Sequence, residues 1–271
     1  MTQHSTATTS PLNQSPEPHF AVGALFVAPH PDDAEIFCGG VMALLAQNNH
    51  RVVLLDLTRG EMGSQGSAEL RESEAEKAKN VLGLHGRENL RLPDGGLSSY
   101  DENQKRAVVS ALRRIRPELV FAPYWEDRHP DHREASDLVT RAVFLAGLKK
   151  YAPELGKPFQ PRQVLYYQMR TAFRPSVVVD VTPVYATKRA AITVYSSQLI
   201  REKAVEGAPP TLVSSPLSQS SIEARDQYYG AMIGVSFAEP LLVRTALALK
   251  DPVEHFRANP IAETLILPGD L

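Results

Sequence analysis

Two short segments, His30-Pro31-Asp32-Asp33 and His129-Pro130-Asp131-His132, each combine imidazole and carboxylate just after an apolar run that reads as a strand. A catalytic zinc typically takes three protein ligands from His, Asp or Glu and keeps a fourth position for water. The two segments together offer such a set. His30 and Asp33 can face one point if a helix begins near Pro31, because proline suits the first helical position. Each segment alone also has a plainer reading, with Asp32 or Asp33 capping a helix and Asp131 capping in a polar surface loop. The same grammar recurs about a hundred residues later, and ligands gather at the carboxyl ends of strands in an open α/β sheet, so one shared site is the better account.

The elements that must position these groups follow from patterning. Val22 to Ala28 (VGALFVA) stops at Pro29 as a buried parallel strand would, and Ala34 to Gln47 has helical composition. Arg51 to Leu57 reads as a second strand, followed by the loop TRGEMGSQGS over 58–67, which should border the site. Glu69 to Leu82 is amphipathic, with Gly83 placed as a C-cap. Val108, Leu112 and Ile115 mark a helix ending before Pro117. Leu119 to Ala122 is a third strand, and the helix after His132 has a small apolar face. Val164 to Met169 and Val177 to Val181 give two more strands, with helices after Pro183 and around Ile222 to Ile233. The alternation predicts an α/β fold, Rossmann-like, with a mainly parallel sheet and helices on both faces. A dinucleotide site would need a Gly-rich turn after the first strand. Here the turn is Pro29-His30-Pro31-Asp32-Asp33, whose carboxylates repel phosphate.

Composition narrows the function. The 271 residues carry 29 basic and 31 acidic side chains, a net charge of −2 that draws neither nucleic acid nor an anionic membrane. Cys38 is the only cysteine, so no intrachain disulfide forms, and its plain reading is a small buried residue. No run of about 18 apolar residues suggests a membrane span. Residues 1–18 are rich in Ser, Thr, Pro and Gln and read as a disordered tail, leaving 19–271 as a single domain. The expected location is cytoplasmic.

Ala28 to Glu35 together with Pro123 to His132 resembles the LmbE-like (PIG-L) family of zinc-dependent N-acetylglucosamine deacetylases. Thr58 to Glu61, Gly66 to Arg71, Leu92 to Gly95, Tyr195 to Gln198 and Gly234 to Glu239 extend the likeness in order. It covers roughly residues 22 to 250. The nearest likeness within the family is to deacetylases acting on N-acetylglucosaminyl-malate in bacillithiol biosynthesis. The resemblance implies His30, Asp33 and His132 as zinc ligands, one Zn2+ per chain, with other divalent first-row metals possible at such N/O sites. It implies Asp32 as general base and His129 as imidazolium at the reaction centre. Asp131 would orient His129, and Arg162 would lie against Asp32 and His129. Arg71 and Asp94 would contact sugar hydroxyls, and Arg128 would meet the malate carboxylates. A homo-oligomer, trimer or hexamer, is implied as well.

Some relatives carry an oxyanion tyrosine before the Ile222 helix, whereas 213–221 here reads VSSPLSQSS. Either His129 and zinc suffice, or Tyr195 or another residue substitutes. Alternative substrates are a chitooligosaccharide or a bacillithiol S-conjugate. From a different class, a non-catalytic sugar- or metal-binding protein would need neither Asp32 nor His129.

Overall fold

The computed structural model describes residues 20–63, 66–199 and 216–258, so the tail expected over 1–18 lies outside the described residues. Seven strands form one sheet in the order β3-β2-β1-β4-β5-β7-β6. They are β1 (Val22–Ala28), β2 (Val52–Thr58), β3 (Gly86–Leu92), β4 (Pro117–Pro123), β5 (Gln163–Tyr167), β6 (Val177–Asp180) and β7 (Ala238–Leu242). Neighbours among β1 to β5 pair in parallel, while β7 runs antiparallel to both β5 and β6. The helices are α1 (Asp33–Gln47), α2 (Ala68–Leu82), α3 (Glu102–Ile115), α4 (Pro130–Ala146), α5 (Tyr185–Thr193), α6 (Ser196–Leu199), α7 (Pro216–Ile233) and α8 (Pro252–Ala258).

Strand alternation divides the core. Phe26, Leu54 and Phe121 pack with Met42 of α1 and Ala191 of α5 on one face. Leu25, Val27, Leu55 and Val120 pack with Leu112 of α3 and Leu138 of α4 on the other. Burying each such aliphatic side chain stabilises the fold by about 1.5–3 kcal/mol. Strand order reverses between β1 and β4, and a crevice opens at such a switch point beyond the carboxyl ends. The loops after these two strands carry the two His-Asp segments.

Two strands escape the sequence pattern. β3 (GRENLRL) is a half-buried edge strand whose charges break any apolar run, as edges favour. β7 (AEPLL) contains Pro240, which argues against an inner strand. Its register with β5 covers only Leu241 and Leu242, so the missing N–H falls beyond that pairing. The start of α1 falls where the patterning of Ala34 to Gln47 places it: the helix begins at Asp33, two residues after Pro31, and Asp32 occupies the cap position, though without a side-chain cap bond.

Candidate metal centre and active site

Asp32 ends the turn after β1 at φ 108°, a positive value rare for a residue with a side chain. The following turn of α1 brings Asp33 back toward His30. His30 Nδ1 lies 3.0 Å from Asp33 Oδ2, and His132 Nε2, from the first turn of α4, lies 3.4 Å from the same oxygen. These three residues can jointly hold one ion. Tetrahedral N/O ligands about 2.0–2.2 Å from zinc stand roughly 3.3–3.6 Å from one another, so the donor set suits a zinc-sized ion.

The other imidazole nitrogens lie beside carboxylates. His132 Nδ1 lies 3.2 Å from Asp127 Oδ1. His30 Nε2 lies 3.2 Å from Asp131 Oδ2 and 3.0 Å from Asp94 Oδ1. Such partners fix the tautomer and raise ligand basicity. Burial alone would lower the His30 pKa, but the Asp131, Asp33 and Asp94 carboxylates hold it well above its usual value. In His132 burial is likewise outweighed by Asp33 and Asp127, which raise the pKa to about 9.

One expected contact is corrected here. The Asp131 carboxylate does not bond His129; besides approaching His30, it accepts from Gly95 N and Leu97 N. The link to His129 is through the backbone, because Asp131 N donates to His129 Nδ1 at 3.2 Å and His129 thereby caps α4. An accepting Nδ1 carries no proton, so the neutral ring bears its hydrogen on Nε2. Burial and the neighbouring His132 and His30 charges lower the His129 pKa in the metal-free chain. Asp94, expected at a sugar hydroxyl, directs Oδ1 at His30 and accepts from Met62 N with Oδ2.

Asp32 is buried next to these groups but approaches no ligand nitrogen within salt-bridge distance among the described contacts. Burial and the Asp33 charge raise its pKa to about 7, against the opposing pull of Arg71. Arg71 is buried, and its Nη1 donates to Gly60 O. A Cβ at Gly60 would come within 2.0 Å of that nitrogen, so the Gly-rich loop leaves room for the guanidinium. Glu61 closes the loop onto the turn after β3 by accepting from Asp94 N and Arg59 N.

Arg162 is elsewhere. It precedes β5, at the amino end of the parallel strands, where its Nε pairs with Glu118 Oε1 at 2.9 Å and its guanidinium lies over Phe20. The strand length separates it from the crevice by about 15–20 Å at the usual rise per residue. Tyr195 does not face the crevice as an oxyanion donor; it is buried, and its hydroxyl donates to Glu35 Oε1. Residues 213–215 lie outside the described residues. Arg128 is exposed beside His129.

Asp127 and Glu35 were not among the expected site residues. Asp127 also accepts from His129 N and Arg170 N, so one carboxylate shapes the whole loop. A carboxylate five residues ahead of the ligand His132, on the same loop, was the available signal. Glu35 receives Arg87 Nη1 at 2.6 Å, while Arg87 also grips Asp56 through Nε and Nη2. This buried group ties the first turn of α1 to β2 and β3.

Residues 25–143 match the family described as PIG-L, GlcNAc-PI de-N-acetylase. The chain is 31% identical over 226 residues to a diacetylchitobiose deacetylase of Thermococcus kodakarensis, covering 79% of this chain and 80% of that protein. It is 30% identical over 180 residues to a 1D-myo-inositol 2-acetamido-2-deoxy-alpha-D-glucopyranoside deacetylase of Segniliparus rotundus, covering 53% and 56%. A solved structure of a conserved protein from Thermus thermophilus is similar with a TM-score of 0.75 at 39% identity, covering 84% of this chain and 97% of that one.

Proposed function

This chain belongs to the PIG-L, or LmbE-like, family of N-deacetylases, hydrolases of N-acetyl amide bonds, and from that premise we propose that it deacetylates N-acetylglucosaminyl-malate, using zinc held by His30, Asp33 and His132. Deacetylation of a GlcNAc conjugate is the part supported by the relatives. The observation that carries the site is the convergence of three ligand atoms beside an unliganded carboxylate, Asp32.

A zinc ion bound there supplies a Lewis acid that polarises the acetyl carbonyl and makes water a better nucleophile at neutral pH. Asp32 takes the proton as water attacks, since a base with a pKa near 7 can accept and return it. His129 Nε2–H donates to the carbonyl oxygen as negative charge develops. Protonated Asp32 then gives its proton to the departing amine as the C–N bond breaks, leaving acetate and the free amino sugar. Arg71 opposes the effects that push Asp32 upward, so that its pKa stands near 7 and no higher; it and Arg128 are the proposed substrate contacts.

Arg128 supports the malate reading because an exposed guanidinium next to His129 in the chain matches a carboxylate in charge and donor geometry. Diacetylchitobiose is the competing substrate, favoured by the likeness to the Thermococcus enzyme. The test is metal analysis with amine release measured on GlcNAc-malate, diacetylchitobiose and N-acetylglucosamine. Arg128→Ala should lower kcat/KM on GlcNAc-malate by about 1.5–3 kcal/mol, the range for a hydrogen bond to a charged group, and change N-acetylglucosamine turnover much less. Equal losses on both would remove the malate role. Among the described residues no helix is long and apolar enough to cross a membrane. A cytoplasmic location and a trimer or hexamer complete the proposal, the assembly being open to light scattering.

A further inference from the structure

α1 is broken five residues into its length. Cys38 has φ −144° and ψ 19°, outside helical values, so the segment that begins with Asp33 is a separate turn set at an angle to the rest. A break orphans backbone groups on both sides, and buried orphans need partners. Both sides are answered by charged side chains from the last third of the chain. On the amino side, Phe37 O accepts from Arg225 Nη2 of α7 at 3.2 Å. On the carboxyl side, Gly40 N and Val41 N donate to the two oxygens of Glu239 of β7 at 2.9 and 2.7 Å.

The two answering groups are joined by buried charges. Lys188 of α5 lies 2.6 Å from Glu239 Oε1 and 2.5 Å from Asp226 Oδ2. The other Asp226 oxygen accepts from Arg225 Nε and Nη2. Lys188, Asp226 and Glu239 are fully buried, and two cations balance two anions. Gly39 and Gly40 permit the close approach: a Cβ on Gly39 would meet Lys188 Cγ at 3.2 Å, and one on Gly40 would meet Val181 at 2.7 Å.

Buried ion groups are weak evidence for stability, because well-packed apolar residues often serve as well. This one sits where it governs direction. The turn between the strand-end loop and the break carries Asp33 and follows directly on Asp32, and Glu35 on the same turn is gripped by Arg87.

We propose that the Arg225-Asp226-Lys188-Glu239 chain sets the angle of the break in α1 and thereby aims Asp32 and Asp33 at the metal centre, with Glu239 as its principal positioning residue. None of the four is a catalytic residue. The inference rests on the reading of His30, Asp33 and His132 as the metal ligands.

The experiment measures zinc affinity by chelator competition, the visible spectrum of the cobalt-substituted protein, and kcat and KM, in wild type, Glu239→Gln and a core truncation on the far face, Leu112→Ala. Leu112→Ala lowers the melting temperature without touching the break. Glu239→Gln should weaken zinc at least about tenfold, in the range seen when groups behind metal ligands are removed, alter the cobalt spectrum, and lower kcat more than it raises KM. Leu112→Ala should leave zinc affinity and the cobalt spectrum as in wild type. If Glu239→Gln melts lower but keeps wild-type zinc affinity and cobalt spectrum, the chain is only a stabiliser and the proposal fails. If Glu239→Gln does not fold, Arg225→Lys answers the same question, since it keeps the cation beside Asp226 and loses the fork to Phe37 O. Unchanged affinity and spectrum there overturn the proposal equally. Wild-type protein that binds no zinc would instead overturn the ligand assignment.

Discussion

Asp32 is held in a conformation and an environment that a carboxylate does not choose freely. A positive φ at such a residue costs on the order of 1–3 kcal/mol, and the surrounding structure must over-determine it. Its pKa of about 7 means that the folded, metal-free chain binds this proton more tightly than the unfolded chain does. Ionising Asp32 therefore weakens folding, by an amount that grows as pH rises from the ordinary carboxylate range and is complete above about 7. Asp32→Asn should melt higher than wild type at pH 8 in the metal-free form, by a stability gain on the order of a few kcal/mol, with the gap closing near pH 4. In the zinc form it should retain metal while kcat falls on the order of a hundredfold or more, as expected for loss of a general base. A loss confined to KM would move Asp32 from proton transfer to binding.

The loops and helix starts set the ligand geometry at the next scale. The turn after β3 and the first turn of α4 are locked together by one side chain, since Asp131 accepts from Gly95 N and Leu97 N while approaching His30. Asp131→Asn replaces one accepting oxygen by a donor facing an N–H or the imidazole. Zinc affinity should drop about 10–100-fold by chelator competition, with the fold retained by circular dichroism. Unchanged affinity would mean that Asp94, the other carboxylate on His30 Nε2, is sufficient by itself. Most elements here announce themselves in the chain: VGALFVA became β1, and Gly83 adopts the left-handed C-cap expected of it. β3 and β7 do not, because one is a charged edge and the other carries a proline that only its short pairing tolerates.

Across the whole molecule, the parallel sheet has two unlike ends, and a residue's end decides whether it can take part in the chemistry. Arg162 lies at the amino end on Glu118 and Phe20, so Arg162→Ala should leave kcat and KM within about twofold and stability within about 0.5 kcal/mol, as for surface changes generally. A loss of more than tenfold would bring Arg162 into a reaction centre, one formed with a neighbouring copy. The sequence by itself determined the α/β class, the placing of the site at the carboxyl ends of strands and the pairing of two His-Asp segments, because strand patterning and ligand chemistry are local and both segments stand at strand ends. Which nitrogen meets which carboxylate was decided only by tertiary structure. Asp131 serves His30 rather than its neighbour His129, Asp94 reaches the same imidazole from the turn after β3, and Tyr195 is taken by Glu35. The break in α1 is likewise answered by residues that lie about 190 positions away. Those partners meet because the sheet order folds distant segments together, and a buried polar group bonds whatever lies within reach, irrespective of separation along the chain.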